Sequence, residues 1–361
     1  MAKRKGTMTN RERVEALLQH KKPDRVPIWP FAYQGFATVY TGTSIADAYN
    51  KPKTAYEAQR KTCQDFDWVF TAMLSYAAYG GWEFGGEIKW PSGEFSQAPT
   101  VTRHPVETVE DVWKLEKPEV STAGIVPLVV EFTKMCQEEW LDNQGFNVLA
   151  LCYGPFNTAG NVAGPANLCK WVLKKPDAAN QLIRLGTDHS IDLIEYNHKL
   201  FGIKGVLPFT GEAIATGQLI SADQFEKFVL PYFQELHSRI LSLGYKNIYS
   251  HLCGEQNANL VHWAKVPFGN PGIISIGHEV ELETAGKYFP NDIIMGNLEP
   301  AIIQTGTPDE VYEATKKNVI DGMTKCPGGY TFSPGCELPP MAKAENVKAM
   351  SQAVEDYGWY K

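Results

Sequence analysis

The sequence contains no apolar run long enough to cross a membrane. Its longest apolar stretches, residues 147–152 and 272–277, fall far short of the roughly 20 residues that a spanning helix needs. The basic residues of Met1–Gly6 are followed by polar residues instead of the apolar segment of a secretory signal. These absences predict a soluble protein.

An excess of positive charge and a cysteine framework are also missing. The 34 lysines and arginines against 41 aspartates and glutamates give a net charge of −7, so no basic field exists to attract nucleic acid or an anionic membrane. Seven cysteines without framework spacing favour a reducing cytoplasm. No repeat or proline-rich linker divides the chain, so we predict one domain over residues 1–361.

A regular alternation is present from about residue 145 onward. Short runs rich in valine, isoleucine and leucine alternate with longer segments of helical period, which is typical of successive βα units. Because no glycine-rich dinucleotide fingerprint accompanies them, these units favour a single (β/α)8 TIM barrel of the α/β class over an open, doubly wound sheet. The predicted strands are residues 25–30, 148–151, 205–209, 247–250, 273–276, 293–295 and 330–333, and the clearest predicted helices are residues 178–199, 222–243, 307–320 and 346–357.

Two segments do not follow this alternation. Residues 1–25 are predicted to form an N-terminal helical extension, with a helix over residues 7–20 that Thr9 or Asn10 can cap. Residues 70–120, rich in glycine, aromatic and polar residues, are predicted to form an excursion beside the barrel mouth.

Polar residues that follow the predicted strands are the first candidates for a site, because barrel enzymes place their working groups at strand ends. His251 and Cys253 share one face of extended backbone, and Cys336 arrives from a distant loop. One histidine and two thiolates with an open position are typical of catalytic zinc, whereas structural zinc usually uses paired CxxC knuckles, which are absent here. On spacing alone, the alternative is that these cysteines pack in the core as small hydrophobic residues.

Other strand-end residues are further candidates. Glu212 follows the predicted strand 205–209 and is predicted to be a fourth oxygen ligand or a group that orients substrate, with a solvated loop carboxylate as the alternative. His278 and Glu299 have weaker claims to a direct role. Seven aromatic residues near the predicted mouth either line a flat cavity or pack in the core: Trp29, Phe31, Tyr33, Phe36, Tyr76, Tyr79 and Trp82.

Several segments, spread over nearly the whole chain, resemble the uroporphyrinogen decarboxylase superfamily. They are RERVEALLQHKKPDRVPIW at residues 11–29, YGPFNTAG at 153–160, GNLEP at 296–300, TGTPDEV at 305–311, and GGY and SPGC within 328–336. The decarboxylases of this superfamily bind porphyrinogen acetates through arginines just after the first strand, but residues 29–36 contain no arginine. The chain is more similar to the branch of methylcobalamin:coenzyme M methyltransferases and related corrinoid-linked methyltransferases.

This resemblance implies that His251, Cys253 and Cys336 bind Zn²⁺, and it relates Glu212 more loosely to an acidic position of the branch. It implies methyl transfer between a methylcobalamin-type corrinoid and a small substrate, either a thiol such as coenzyme M or a methoxylated or methylated donor. No Asp-x-His-x-x-Gly motif occurs, so the corrinoid is expected on a separate corrinoid-binding protein. The alternatives are a metal-free uroporphyrinogen decarboxylase-like enzyme and a catalytically silent barrel that binds a ligand at its aromatic mouth.

Overall fold

The computed structural model describes residues 6–91, 98–140 and 145–361. Its centre is a parallel sheet of seven strands, and two further strands pair separately as an antiparallel hairpin. In chain order the strands are β1 (Phe70–Ala72), β2 (Glu87–Lys89), β3 (Thr100–Arg103), β4 (Gly145–Tyr153), β5 (Val206–Glu212), β6 (Tyr249–Leu252), β7 (Ile273–Ile276), β8 (Ile293–Met295) and β9 (Tyr330–Thr331). The order in the large sheet is β1-β4-β5-β6-β7-β8-β9, and β2 pairs with β3.

Helices connect the strands, as parallel pairing requires. They are α1 (Asn10–Leu18), α2 (Gln34–Thr41), α3 (Ile45–Asn50), α4 (Pro52–Asp65), α5 (Val109–Val112), α6 (Val126–Trp140), α7 (Pro155–Ala163), α8 (Pro165–Lys174), α9 (Pro176–Phe201), α10 (Ala222–Phe228), α11 (Leu230–Ser242), α12 (Leu260–Trp263), α13 (Leu282–Tyr288), α14 (Pro300–Thr305), α15 (Pro308–Lys325) and α16 (Ala344–Tyr357), with 3₁₀ turns at Val120–Thr122 and Asn257–Asn259. None of these helices, within the described part of the chain, combines the length and apolar character that a bilayer-spanning helix requires.

Strands β6 to β9 are buried along their whole length, which explains their composition. Every residue of β7 (IISI) and β8 (IIM) is buried, as expected when helices cover a parallel sheet. The predicted helix near the start of the chain is confirmed as α1, because Thr9 and Glu12 form a capping box at its beginning. Helix α1 packs Val14 and Leu17 into the same apolar cluster as Trp29 and residues of β5, β7 and β8.

The segment at residues 27–29 forms hydrogen bonds along both of its edges. The Val69 N–H, just before β1, donates to the Ile28 carbonyl at 2.8 Å. On the other side, the Trp29 N–H donates to the Phe332 carbonyl at 2.8 Å, and the Phe332 N–H donates to the Pro27 carbonyl at 3.0 Å. The segment therefore connects the β1 side of the sheet with the chain just after β9.

Several predicted boundaries are corrected by the structure. The predicted strand 25–30 appears only as isolated bridges at Arg25 and Ile28, and the strands predicted at 148–151, 205–209 and 330–333 have the bounds of β4, β5 and β9. Strand β6 begins two residues later than predicted, so His251 lies inside the strand. The helix predicted over 222–243 is two helices, because Pro231 at the start of α11 lacks the N–H that a continuous helix needs. Residues 70–72, placed by the sequence in the excursion, form β1 of the large sheet, since three residues are too few to show a strand period.

Candidate metal centre

His251, Cys253 and Cys336 converge at the carboxyl end of the sheet. One donor atom from each residue lies within 4.8 Å of the others, and no other group of three or more histidine, cysteine or acidic residues in the described segments does so. The two sulfur atoms, Cys253 Sγ and Cys336 Sγ, are 3.8 Å apart. The structure thus brings together the three residues that the sequence predicts as metal ligands.

Two strand ends and one loop place these side chains. His251 is the third residue of β6 and Cys253 follows the strand, so both project to the same face of the pleat. Cys336 lies in the loop after β9, and this loop is held where the Gly335 N–H donates to the Leu298 carbonyl at 2.8 Å. A Cβ on Gly335 would lie 2.7 Å from the His278 backbone nitrogen, so the close approach of this loop requires glycine.

The His251 ring is oriented from one side only. Its Nδ1 lies 2.9 Å from Ser275 Oγ, because Ser275 is the register partner of His251 on β7. Its Nε2 is buried and has no hydrogen-bond partner among the described residues. Metal-binding histidines are typically held in this way, with one nitrogen on a protein group and the other reserved for the ion. Phe31 packs on the ring at 5.2 Å between centroids.

The pKa values of the two thiols are shifted in opposite directions. Hydrogen bonding from Cys253 holds the pKa of Cys336 well below its usual range, and His251 lowers it further. The same pairing raises the pKa of Cys253, with burial and the carboxylates of Glu279 and Glu212 adding to the effect. Since the pair shares one proton, a second negative charge becomes favourable only when a cation binds.

Glu212, at the end of β5, is fully engaged with backbone groups. Its Oε1 accepts the N–H groups of Ile214 and Ala215, each at 3.0 Å, and its Oε2 accepts the Asn157 N–H at 3.1 Å. Burial raises the pKa of this carboxyl to about 7. The structure does not place Glu212 with the three candidate metal ligands. The side chain is only 1% exposed, which excludes the alternative prediction that Glu212 is a solvated loop carboxylate. Gly154 leaves space for it, because a Cβ there would collide with Oε2.

His278 and Glu299 lie apart from the donor group. They line a polar cavity of about 220 Å³ between the loops after β7 and β8. The His278 side chain is 41% exposed, and its Nδ1 lies 3.4 Å from Glu279 Oε2. Neither residue is therefore part of the group formed by His251, Cys253 and Cys336.

Two of the predicted mouth aromatics lie at the site. Phe31 contacts the His251 ring, and Tyr33 meets Phe31 edge-on at 4.5 Å between centroids. Tyr33 belongs to the apolar cluster that also contains Val14, Leu17 and Trp29, and the partly buried Phe31 packs against this cluster. Trp29 packs against Tyr249 in the same cluster as Tyr33. The remaining four pack in or against the main core: Phe36, Tyr76, Tyr79 and Trp82.

Sequence reasoning missed Ser275 and Glu337. Ser275 is the one polar residue in the strand IISI, and that exception was the available signal. Glu337 directly follows Cys336, and its Oε1 accepts the Gly35 N–H at 3.3 Å. Burial and the neighbouring Cys336 raise the pKa of Glu337 to about 7. No pattern in the sequence relates Glu337 to Gly35, which is 302 residues away.

Comparisons with known proteins match nearly the whole chain. A family model described as uroporphyrinogen decarboxylase (URO-D) matches residues 9–357. The methylcobamide:CoM methyltransferase MtbA of Methanosarcina acetivorans is 28% identical over 278 residues, which cover 76% of each chain. A uroporphyrinogen decarboxylase of Anaeromyxobacter sp. is 22% identical over 354 residues, covering 94% of this chain and 97% of the other. A solved structure, a methyltransferase from Methanosarcina mazei, shares the fold with a TM-score of 0.80 at 21% identity, covering 97% of this chain and 99% of that one.

Proposed function

The chain belongs to the uroporphyrinogen decarboxylase family, and we propose that it is a zinc-dependent, corrinoid-linked methyltransferase. It moves a methyl group between the corrinoid of a partner protein and a small thiol or a methoxylated or methylated donor. The methyltransferase relatives, which include a methylated-thiol–coenzyme M methyltransferase of Methanosarcina mazei, support this reaction. One observation carries the proposal: the buried Nε2 of His251, which has no hydrogen-bond partner within residues 6–91, 98–140 and 145–361, lies beside two sulfur atoms that are 3.8 Å apart.

These donors fit zinc in type, number and spacing. Imidazole nitrogen and thiolate sulfur are preferred zinc ligands, and three protein ligands leave one position for the reactant. Two sulfurs bound at about 2.3 Å in a tetrahedral sphere lie roughly 3.8 Å apart, which agrees with the distance between Cys253 Sγ and Cys336 Sγ. We therefore assign His251, Cys253 and Cys336 as the ligands.

When bound, zinc supplies a Lewis acid that favours the thiolate form of a substrate thiol or polarises an ether oxygen. The protein supplies orientation and shielding. Ser275 holds the His251 ring so that Nε2 remains available. Phe31 and Tyr33 cover one side of the site with aromatic surface that excludes water. Glu212 acts as a positioning residue, because its carboxyl ties the start of α7 to the loop after β5.

We also propose that the sheet closes into a (β/α)8 barrel in one domain over residues 1–361. The hydrogen bonds of segment 27–29 to Val69 and Phe332 support closure by an eighth strand. In this arrangement α1 belongs to the N-terminal helical extension (residues 1–25), and the excursion that follows β1 lies beside the mouth. The partner corrinoid protein would dock over that mouth, where the three ligands lie.

The alternative function is a decarboxylase acting on a porphyrinogen. Uroporphyrinogen decarboxylases are among the relatives, but residues 29–36 lack the arginines that this branch uses. A decarboxylase would release carbon dioxide from a porphyrinogen without zinc or methylcobalamin, so this activity can be measured separately.

An anaerobic absorbance assay tests the proposal. The protein is mixed with methylcobalamin and a thiol, the loss of the methylcobalamin spectrum is followed, and zinc per chain is measured in the same sample. We expect Cys253→Ala and Cys336→Ala to lose zinc and methyl transfer together, whereas Cys169→Ala, a half-buried cysteine on α8, keeps both. Full methyl transfer by zinc-free protein would refute the proposal.

A further inference from the structure

A cavity of about 340 Å³ lies beside the candidate metal centre, between α7, strand β3 and the loops after β1 and β5. Its wall is attached to Glu212, because Oε2 accepts the Asn157 N–H and Oε1 accepts the Ile214 N–H, and both of these residues line the cavity. The Cys253 N–H donates to the Glu212 carbonyl at 3.0 Å. The wall of the cavity therefore begins about one strand spacing, roughly 4.8 Å, from a proposed zinc ligand.

Two asparagine side chains in this wall each have an oxygen without a hydrogen bond. Asn157 and Asn161 line the cavity and are only 1% and 9% exposed. Their Nδ2 groups donate to the Ala77 carbonyl at 3.2 and 2.8 Å, and that of Asn161 also donates to the Tyr79 carbonyl at 2.9 Å. Neither Oδ1 atom accepts a hydrogen bond from the segments that the structure describes. Because a buried carboxamide oxygen is costly to leave without a donor, these two atoms indicate a ligand.

The rest of the described lining is uncharged. His104 Nδ1 lies 2.8 Å from the Asn161 backbone carbonyl. A carbonyl only accepts, so Nε2 of the neutral His104 ring is a third acceptor. Thr100 adds a hydroxyl, and Pro165 and Ile214 are among the side chains that add apolar surface. The cavity therefore suits an uncharged group that donates N–H bonds and is attached to an apolar arm, which describes a primary carboxamide.

From this arrangement, and resting on the proposed methyl transfer, we propose that the cavity binds the rim of the corrinoid. A corrin ring carries acetamide and propionamide arms around its edge, and each arm ends in two N–H donors. One arm enters the cavity and donates to Asn157 Oδ1 and Asn161 Oδ1. A peptide segment of the partner protein would also donate N–H bonds, but the nearness of the cavity to Cys253 favours the corrin, because its cobalt-bound methyl group has to reach the metal centre. The chain thus recognises the corrinoid itself in addition to the protein that carries it.

Two methylated corrinoids test the role of the amide N–H groups on the unchanged protein. Methylcobinamide carries carboxamide arms, whereas the methyl form of cobyrinic acid heptamethyl ester carries uncharged esters that cannot donate. Each is dialysed to equilibrium against zinc-loaded protein without a thiol, and the bound corrinoid is measured by its visible absorbance. We expect the ester to bind at least about tenfold more weakly, because each neutral hydrogen bond contributes several-fold to affinity. Equal or tighter binding of the ester, or no binding of either corrinoid, would overturn this inference.

Filling the cavity assigns the binding to this position. Ala77 is exposed and lines the cavity, so Ala77→Phe occupies the space that an arm needs and leaves the Ala77 carbonyl in place. This variant should keep its zinc but bind methylcobinamide at least about tenfold more weakly. Ala301→Phe is the matched control, because it makes the same change at an exposed position on α14. Equal affinity of folded Ala77→Phe and Ala301→Phe would overturn the location of the binding site.

Methyl transfer from methylcobinamide to 2-mercaptoethanol separates this inference from the proposed function. Zinc-dependent transfer, together with equal binding of the amide and the ester, would overturn the inference and leave the proposed function intact. If zinc-loaded protein transfers no methyl group, the proposed function fails, and this inference fails with it. The comparison of the two corrinoids on the unchanged protein does not depend on how the variants fold.

Discussion

The Nδ1 atom of His251 lies 2.9 Å from the hydroxyl oxygen of Ser275, its register partner on the neighbouring strand. A neutral imidazole carries one N–H, so when Nδ1 donates to Ser275 the lone pair is on Nε2. That nitrogen is buried beside the two thiols and has no hydrogen-bond partner in the part of the chain that the structure describes. With Ser275 as the acceptor, His251 is therefore in the tautomer that can bind a metal.

Ser275→Ala should weaken zinc binding although all three ligands remain. We expect the dissociation constant to rise about 10- to 100-fold, because a metal-bound histidine depends on the group that holds its other nitrogen. Competition with a chelating dye measures the change. Ser333→Ala is the control, since the Ser333 hydroxyl is buried without a hydrogen-bond partner among the described residues. Equal affinity in Ser275→Ala and the control would show that the serine does not orient the ligand.

Zinc binding near neutral pH should release about one proton per chain, because only the thiol of Cys253 still holds its proton. The pKa of Cys336 lies well below its usual range beside Cys253, whereas that of Cys253 is raised. As the pH falls and Cys336 also becomes protonated, the apparent affinity should decrease. Calorimetry in buffers of different ionisation enthalpy counts the protons, and release of two protons at neutral pH would contradict the shared-proton arrangement.

Glu212→Gln should leave zinc affinity within about threefold of the unchanged protein, far less than the loss expected for a ligand. Both oxygens of Glu212 accept backbone N–H groups, and the carboxyl is not part of the donor group. Competition with the same chelating dye measures the zinc affinity of Glu212→Gln, with Cys336→Ala as the variant that has lost a ligand. A loss of zinc comparable to that of Cys336→Ala would instead make Glu212 a fourth ligand.

Two buried histidines should make the fold sensitive to acid. Burial lowers the pKa of His237 to about 3 and that of His189 to about 4, from an ordinary value of 6.5. Between pH 6.5 and about 4 the unfolded chain binds protons that the folded chain does not, so stability falls as the pH falls. Each histidine should contribute a few kcal/mol over this interval.

Urea unfolding at a series of pH values measures this effect. Both ring nitrogens of neutral His237 have hydrogen-bond partners: Nδ1 lies 2.9 Å from the Pro267 carbonyl, and Nε2 lies 3.0 Å from the Thr210 hydroxyl. His237→Gln removes the titrating ring, so the fall in stability below pH 6.5 should become shallower even if the variant is less stable throughout. A slope equal to that of the unchanged protein would show that His237 does not carry the acid sensitivity.

The sequence by itself determined those strands and helices that can be recognised from the pattern of their own residues. Strands β7 and β8 have the predicted bounds, because buried parallel strands are nearly continuous apolar runs. The predicted helices within α9, α15 and α16 are confirmed, because their helical period extends over several turns. The single long helix predicted over 222–243 was wrong, since an apolar period continues through Val229 although the backbone does not.

The sequence also predicted which residues meet at the candidate metal centre, through the positions of His251, Cys253 and Cys336 after predicted strands and through the resemblance that supports all three. Only the tertiary structure decided the rest. Cys336 comes within 3.8 Å of Cys253 across 83 residues of chain, Ser275 reaches His251 through strand register, and backbone groups occupy Glu212. Each of these outcomes depends on contacts between distant segments, which pleat and helix periods do not encode because those periods describe only a residue's own strand or helix.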